Sequence, residues 1–228
     1  MIITIDGPAG AGKSSVARRL AQRLHYWFLD TGAMYRVVAL AAARHGIGWR
    51  DTAAVARLAG QVPLRFDNGR VFMGEEDVTD AIRSAEVTAD TRHVADNPGA
   101  REQLIALQRR LAQGKDVITE GRDQGTVAFP DADCKFFLTA SARRRAERRA
   151  KERRGKGESV TVREVLHEQN RRDERDESRR VGRLVPADDA VIVDTDDLAL
   201  DQVVEKLLHL LRERRGVPPG PKCANERS

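Results

Sequence analysis

Cysteine is nearly absent from this chain, with two in 228 residues. Cys134 falls in an apolar run and Cys223 in a Pro/Gly-rich tail, so neither a disulfide framework nor a thiolate metal site is suggested. Aromatic residues make up only 4% of the chain, which leaves few rings on which nucleic-acid bases could stack. No apolar run approaches the ~18 residues of a membrane span. Met1 to Asp6 also lacks the basic start and apolar core of a secretory signal, so a soluble, cytoplasmic protein without a membrane partner is expected. The five histidines, at positions 25, 45, 93, 167 and 209, show no ligand-like pairing. No internal repeat is visible.

What is present is enough apolar residue, 40%, for one well-filled core, and an excess of arginine that gives a net charge of +5. A basic chain raises the question of nucleic acid. The excess is local, however, and anionic small molecules account for it equally well.

The most informative stretch is Gly7, Pro8, Ala9, Gly10, Ala11, Gly12, Lys13 and Ser14, followed by Ser15. It fits G-x-x-x-x-G-K-[ST] and directly follows the apolar run Ile2 to Ile5. So small-sided a loop can turn its backbone N–H groups inward around phosphate oxygens. Lys13 then reaches the β- and γ-phosphates, and the Ser14 hydroxyl suits a Mg²⁺ ion. Val16, Ala17, Leu20, Ala21 and Leu24 follow at helical spacing, placing the phosphates at a helix N-terminus. Gly7 to Ser15 is therefore expected to bind a nucleoside triphosphate.

Tyr26 to Leu29 reads as a second buried strand, and Thr31 as the cap of a helix running toward His45 with Tyr35 and Arg36 in its first turn. Leu64 and Phe66, the turn signal Asn68-Gly69, and Val71 to Met73 form a hairpin, which Asp77 to Thr79 extends. Together they suggest a β-rich insertion over 62–96. Asn97-Pro98 opens a helix bearing Arg101, which Gly114 stops. Val117 to Thr119 is a strand whose end delivers Glu120, Gly121, Arg122 and Asp123, and Lys135 to Leu138 is the next. Residues 143–154 form an arginine-rich helix with almost no apolar face, read either as a mobile lid over phosphates or as a nucleic-acid patch. Thr161 and Glu164 make a capping box opening another helix; if it persists, Arg172, Asp176 and Arg179 share one face. Ala190 to Asp194 is the fifth strand, and a final helix buries Val204, Leu207, Leu208 and Leu211. The pattern predicts an α/β fold: a five-stranded parallel sheet, doubly wound, as one domain over 1–216 with a disordered tail over 217–228.

No Asn/Thr-Lys-x-Asp motif marks a GTPase, and Val191 to Asp194, the nearest match to a motor ATPase strand, is the last strand of the chain. Instead, Arg36, Arg101, Arg122, Arg172 and Arg179 gather at predicted ligand-facing positions. Phosphoryl transfer needs charge spread around a metaphosphate-like transition state and two substrates held in line. Arginine suits this because its planar fork binds phosphate oxygens in pairs. A small-molecule kinase is favoured over a nucleic-acid ATPase.

Four motifs in order, at 5–14, 29–36 (Leu-Asp-Thr-Gly-Ala-Met-Tyr-Arg), 121–126 (Gly-Arg-Asp-Gln-Gly-Thr) and 172–179 (Arg-Asp-Glu-Arg-Asp-Glu-Ser-Arg), resemble those of the bacterial cytidylate kinases. The resemblance runs from Ile2 to about Leu211. It implies the nucleoside monophosphate kinase fold, transfer of the γ-phosphoryl group of ATP to CMP or dCMP with Mg²⁺, an insertion like 62–96 and a lid like 143–180. It implies Lys13, Arg122, Arg172 and Arg179 as catalytic, and Arg36, Arg122, Arg172 and Arg179 on the acceptor phosphate. Arg101 and Asp123 would read cytosine, Asp176 with Arg172 would hold the ribose, and Thr31 and Tyr35 would line the pocket. A monomer without nucleic-acid partners is expected. Arg92 stands where some members place a base-contacting Ser, and Glu120 where many have Asp. A kinase for UMP or another monophosphate is the alternative within this fold.

Overall fold

A computed structural model of the protein describes residues 1–155, 157–179 and 181–215. In chain order it runs β1 (Ile2–Asp6), α1 (Lys13–Leu24), β2 (Trp27–Asp30), α2 (Thr31–Arg44) and α3 (Thr52–Gln61). The short strands β3 (Leu64–Asp67), β4 (Arg70–Met73) and β5 (Glu76–Asp77) follow, then α4 (Ala85–Ala95) and α5 (Pro98–Ala112). The chain continues with β6 (Val117–Glu120), β7 (Cys134–Thr139), α6 (Ala142–Gly155), α7 (Val162–Ser178), β8 (Val191–Asp194) and α8 (Leu200–Arg215). The predicted tail, including Cys223, lies outside the described residues.

Five strands form one sheet in the order β2-β6-β1-β7-β8. Strand β1 runs parallel to β6, with Ile3 beside Ile118, and to β7, with Ile5 beside Phe136; β8 runs parallel to β7. Chain order reverses about β1, and in open parallel sheets the carboxyl ends of strands at such a reversal carry the ligand. The three central strands, β1, β6 and β7, are covered on both faces and read as continuous apolar runs rather than alternating ones, whereas the edge strand β8 leaves Ile192 61% exposed. Ile3, Ile5, Phe136 and Leu138 pack in one core with Val16 and Leu20 of α1 and with Val204, Leu207 and Leu211 of α8. The acidic residues Asp6 and Glu120 are the last residues of β1 and β6 and are buried.

Chain contacts divide the protein into two compact units, one of residues 1–29 with 114 onward, the other Asp30–Gln113. The second unit is wider than the 62–96 segment read as an insertion. It includes the antiparallel sheet β3-β4-β5, whose Asn68 and Gly69 both have positive φ (46° and 78°), as a two-residue primed turn requires. Its β content ends at Asp77. Helices α3 and α4, which the sequence did not reveal, are capped by Asp51 and Ser84 and pack against α5 and α2 respectively.

Three local expectations are corrected. The cap of α2 is Asp30, whose carboxylate accepts the Ala33 N–H at 2.9 Å; Thr31 is the first helical residue and is buried. Strand β2 starts at Trp27 because Tyr26 still belongs to the end of α1, its N–H donating to Ala21 O across the left-handed His25. The arginine-rich helix α6 does have an apolar stripe: Ala146 and Ala150, one turn apart, are buried against Val165 of α7. Alanine is too small to stand out among arginines, yet it lets the two helices approach closely. The capping box forms as read, with Thr161 and Glu164 each accepting the other's backbone N–H.

Leu207 is fully buried in the central core. Leu207→Ala is therefore expected to cost about 2–5 kcal/mol, a large share of the ~5–15 kcal/mol typical of a domain. Urea unfolding should show a lowered midpoint with an unchanged slope.

Candidate active site

The loop between β1 and α1 adopts backbone conformations that side chains resist. Gly7, Gly10 and Gly12 have φ of 143°, 81° and 87°, and a Cβ on Gly7 would stand 2.2 Å from Leu138 O. Gly12 caps α1 and brings no side chain of its own to the helix N-terminus, where an anion is favoured.

Lys13 is buried, and its Nζ donates to Pro8 O at 2.8 Å. Burial, followed by the guanidinium groups of Arg122 and Arg172, pushes its pKa down to about 7, against the opposing pull of Glu120 and Asp6. Because the unfolded chain holds this proton up to its ordinary 10.5, Lys13 makes stability rise with pH from about 7 toward that value. Next to it, Ser14 Oγ donates to Glu120 Oε1 at 2.8 Å. A hydroxyl paired with a carboxylate at the phosphate loop is the hard-oxygen donor set that Mg²⁺ accepts alongside phosphate oxygens and water.

Asp6 was missed in the sequence. Its carboxylate accepts the N–H groups of Gln124 (2.9 Å) and Gly125 (2.8 Å), fixing the turn that follows Arg122 and Asp123. Burial raises its pKa to about 6 despite those two hydrogen bonds. Thr119 Oγ1 braces the same turn by donating to Gln124 Oε1 at 2.8 Å.

Arg122, Asp176 and Arg179 form one cluster. Arg122 Nε donates to Asp176 Oδ2 at 2.8 Å, and an Arg179 terminal nitrogen lies 2.7 Å from Asp176 Oδ1. Helix α7 ends at Ser178, so Arg179 is its C-cap rather than a third residue on the helix face, yet it still meets Asp176. Burial works against charge on Asp176, but Arg122, Arg179 and Arg172 outweigh it and hold the carboxyl below its usual range. Arg122 and Arg172 thus act electrostatically on both Lys13 and Asp176. Asp123 is buried at the head of the same turn.

In the second unit, Thr31, Tyr35 and Arg36 lie at the start of α2, and Arg101 is buried in α5. Arg101 stands 5.7 Å from the centre of the Tyr35 ring and donates to Ala95 O at 3.2 Å. Gly32 leaves room for Arg36: a Cβ there would lie 3.3 Å from one of its terminal nitrogens. Arg92 is exposed on α4 and donates to His93, which stacks on Trp49 with ring centres 5.0 Å apart.

Beside α6, a cleft of about 360 Å³ is lined by Arg144, Arg148 and Lys151 and by Asp196 to Ala199. Arg148 donates to Thr195 Oγ1 at 3.1 Å and to the carbonyls of Thr195 and Asp196. This cleft also escaped the sequence, since nothing distinguishes Arg148 from the arginines around it. Among the described residues, no cluster of three or more His, Cys, Asp or Glu could hold a metal by itself, and no helix is long and apolar enough to cross a membrane.

A phosphate-cradling loop at the central strand of a parallel sheet, with a buried lysine and a guanidinium cluster beyond it, defines a P-loop kinase. The shikimate kinase of Bacteroides thetaiotaomicron has a similar fold, with 15% identity, a TM-score of 0.50 and coverage of 93% of this chain and 98% of that one. The model of the cytidylate kinase family matches residues 3–213. The cytidylate kinase of Rhodopirellula baltica is 49% identical over 213 residues, covering 93% of each chain. That of Geobacter sulfurreducens is 45% identical over 224 residues, covering 96% of each. The chain belongs to the cytidylate kinase family.

With Lys13 proposed as the triphosphate ligand, its depressed pKa predicts that nucleotide binding is proton-linked. Triphosphate oxygens beside the ammonium favour its charged form, so at pH 8 binding of ATP should take up about one proton. Below pH 6, where Lys13 is already charged, it should contribute none. Calorimetry in two buffers of different ionisation enthalpy measures this, and Lys13→Gln should remove the uptake.

Proposed function

We propose that the protein transfers the γ-phosphoryl group of ATP to CMP or dCMP, giving ADP and CDP or dCDP, with Mg²⁺ accompanying the ATP. The observation that carries this is the cluster beyond the P-loop in which Arg122 Nε and an Arg179 terminal nitrogen lie 2.8 and 2.7 Å from the two oxygens of Asp176. Gly7 to Ser15 hold the triphosphate, Lys13 takes the β- and γ-oxygens, and Ser14 with Glu120 would hold the ion. Mg²⁺ when bound would neutralise charge on the bridging phosphates. The cleft between α6 and the segment after β8 suits the adenine ring. It adjoins the helix that carries Arg145 to the P-loop, and Arg144 and Arg148 line it with planar cations.

Arg36, Arg122, Arg172 and Arg179 are assigned to the acceptor phosphate. Transfer then proceeds with little covalent help from the protein: fixed guanidinium charge meets the charge that develops on the equatorial oxygens. Arg101 and Asp123 are assigned to cytosine, with Thr31 and Tyr35 beside it. A carboxylate accepts from the exocyclic amino group of cytosine, whereas uracil presents an acceptor there. Asp176 is assigned to the ribose with Arg172; each of its oxygens meets a guanidinium and retains acceptor capacity for a hydroxyl.

The arginines of α6 are largely paired, Arg143 with Glu147, Arg149 with Glu152, and Arg153 with Glu158 and Glu168. That pairing supports the lid role over a nucleic-acid surface. A cytoplasmic monomer without nucleic-acid or membrane partners completes the proposal.

Coupled ADP-release assays over CMP, dCMP, UMP, AMP and GMP test it. CMP or dCMP should turn over best, turnover should vanish with chelator and return with Mg²⁺, and best turnover with AMP would overturn the acceptor. Lys13→Ala should abolish transfer in a folded protein. Asp123→Ala should erode the CMP-over-UMP preference by about 1–3 kcal/mol, or roughly 5- to 150-fold, because it removes one buried polar partner. An unchanged CMP/UMP ratio would remove Asp123 from base reading.

A further inference from the structure

The tip of the P-loop is gripped by two side chains from distant parts of the chain. Ala9 N–H donates to Asp173 Oδ1 at 3.1 Å, and Arg145 donates to Ala9 O at 2.8 Å. The two side chains also meet each other, Arg145 to Asp173 Oδ2 at 2.5 Å, and both are nearly buried, at 8% and 11% exposure. A third donor of Arg145, Nε, reaches Ala140 O at 3.0 Å. Gln169 Nε2 donates to Arg145 O at 3.4 Å, and a Cβ on Gly10 would meet Gln169 Nε2 at 2.5 Å. The loop therefore fits against α6 and α7 with no space for a side chain at Gly10, and both polar groups of the Ala9 backbone are satisfied by the same ion pair.

Asp173 directly follows Arg172 on α7 and precedes Asp176 by three residues. Fixing Asp173 to the P-loop fixes the rotation and height of α7 against Lys13, and with them Arg172 and the carboxylate that holds Arg122 and Arg179. We infer that Arg145 and Asp173 are positioning residues, a clamp that sets the guanidinium cluster in register with the triphosphate-binding loop. The inference rests on the proposed roles of Lys13, Arg122, Arg172 and Arg179. If the unmodified protein fails to phosphorylate CMP, those roles fail first; the clamp is judged only in protein that does.

Arg145→Lys is the discriminating variant. An ammonium can still pair with Asp173, so the buried carboxylate keeps a countercharge. It lacks the planar fork that reaches Ala9 O, Asp173 and Ala140 O together. The expected result is a fall in kcat of about 10- to 100-fold with KM for CMP within about threefold, since a small misplacement of reacting groups costs rate more than binding. Affinity for an adenosine–cytidine pentaphosphate, which spans both substrates, should fall by at least tenfold while affinity for ATP alone changes little. Arg145→Gln removes the charge altogether; circular dichroism checks its fold, and Arg145→Lys decides the matter if it does not fold. Wild-type kcat and pentaphosphate affinity in folded Arg145→Lys would overturn the inference. So would a parallel loss of every constant that cooling restores, because that marks a fault of stability rather than of position.

Discussion

An ammonium group kept out of water at the end of the central strand is the constraint around which this protein is arranged. Lys13 is buried, its Nζ donates to a backbone carbonyl, and two arginines add to the cost of its charge. The strained glycines and the uncapped start of α1 adjoin it, the carboxylates of Asp6 and Glu120 favour its charge, and a triphosphate is proposed to bind there. The flanking carboxylates offset part of the desolvation without abolishing it, and the pKa of the group stays at about 7.

The second requirement is that several cations point at one region without driving one another apart. Asp176 meets it by accepting one guanidinium on each oxygen, so Arg122 and Arg179 are oriented in pairs with a shared counterion. Their charge exceeds that of the carboxylate, and the surplus is proposed to meet the acceptor phosphate. The α6–α7 hairpin carrying part of this cluster is bound at its base to the P-loop tip through Arg145 and Asp173.

How much of this the sequence revealed follows from how local each feature is. Gly7 to Ser14 were legible because the loop's geometry is carried by its own residues. The position of Arg122 and Asp123 was legible because charges that begin where a buried strand ends must lie at the carboxyl edge of the sheet, and the Thr161–Glu164 box because both partners lie within one helical turn. Arg145 and Asp173 were not legible. Each sits in a run of similar charges, and only the packing of α6 on α7 decides which arginine faces the P-loop. Asp6 could have been found as a carboxylate closing an apolar strand directly before the loop. Helices α3 and α4 went unseen because their caps are ordinary and their buried residues few: Val55 and Ala59 in one, Val87 and Val94 in the other. Arg179 was placed on a helix face that stops one residue short of it, a boundary the sequence does not mark.

One set of cations, Lys13, Arg122, Arg172 and Arg179, is proposed to serve the phosphates passing between two nucleotides, and every other assigned role depends on it. The most direct measurement is a crystal structure of the protein with adenosine–cytidine pentaphosphate and Mg²⁺. Bridging phosphates should then contact Lys13 and guanidinium nitrogens of Arg122, Arg172 and Arg179. Phosphates resting on Lys13 alone, with Arg122 and Arg179 still bound only to Asp176, would contradict that proposal.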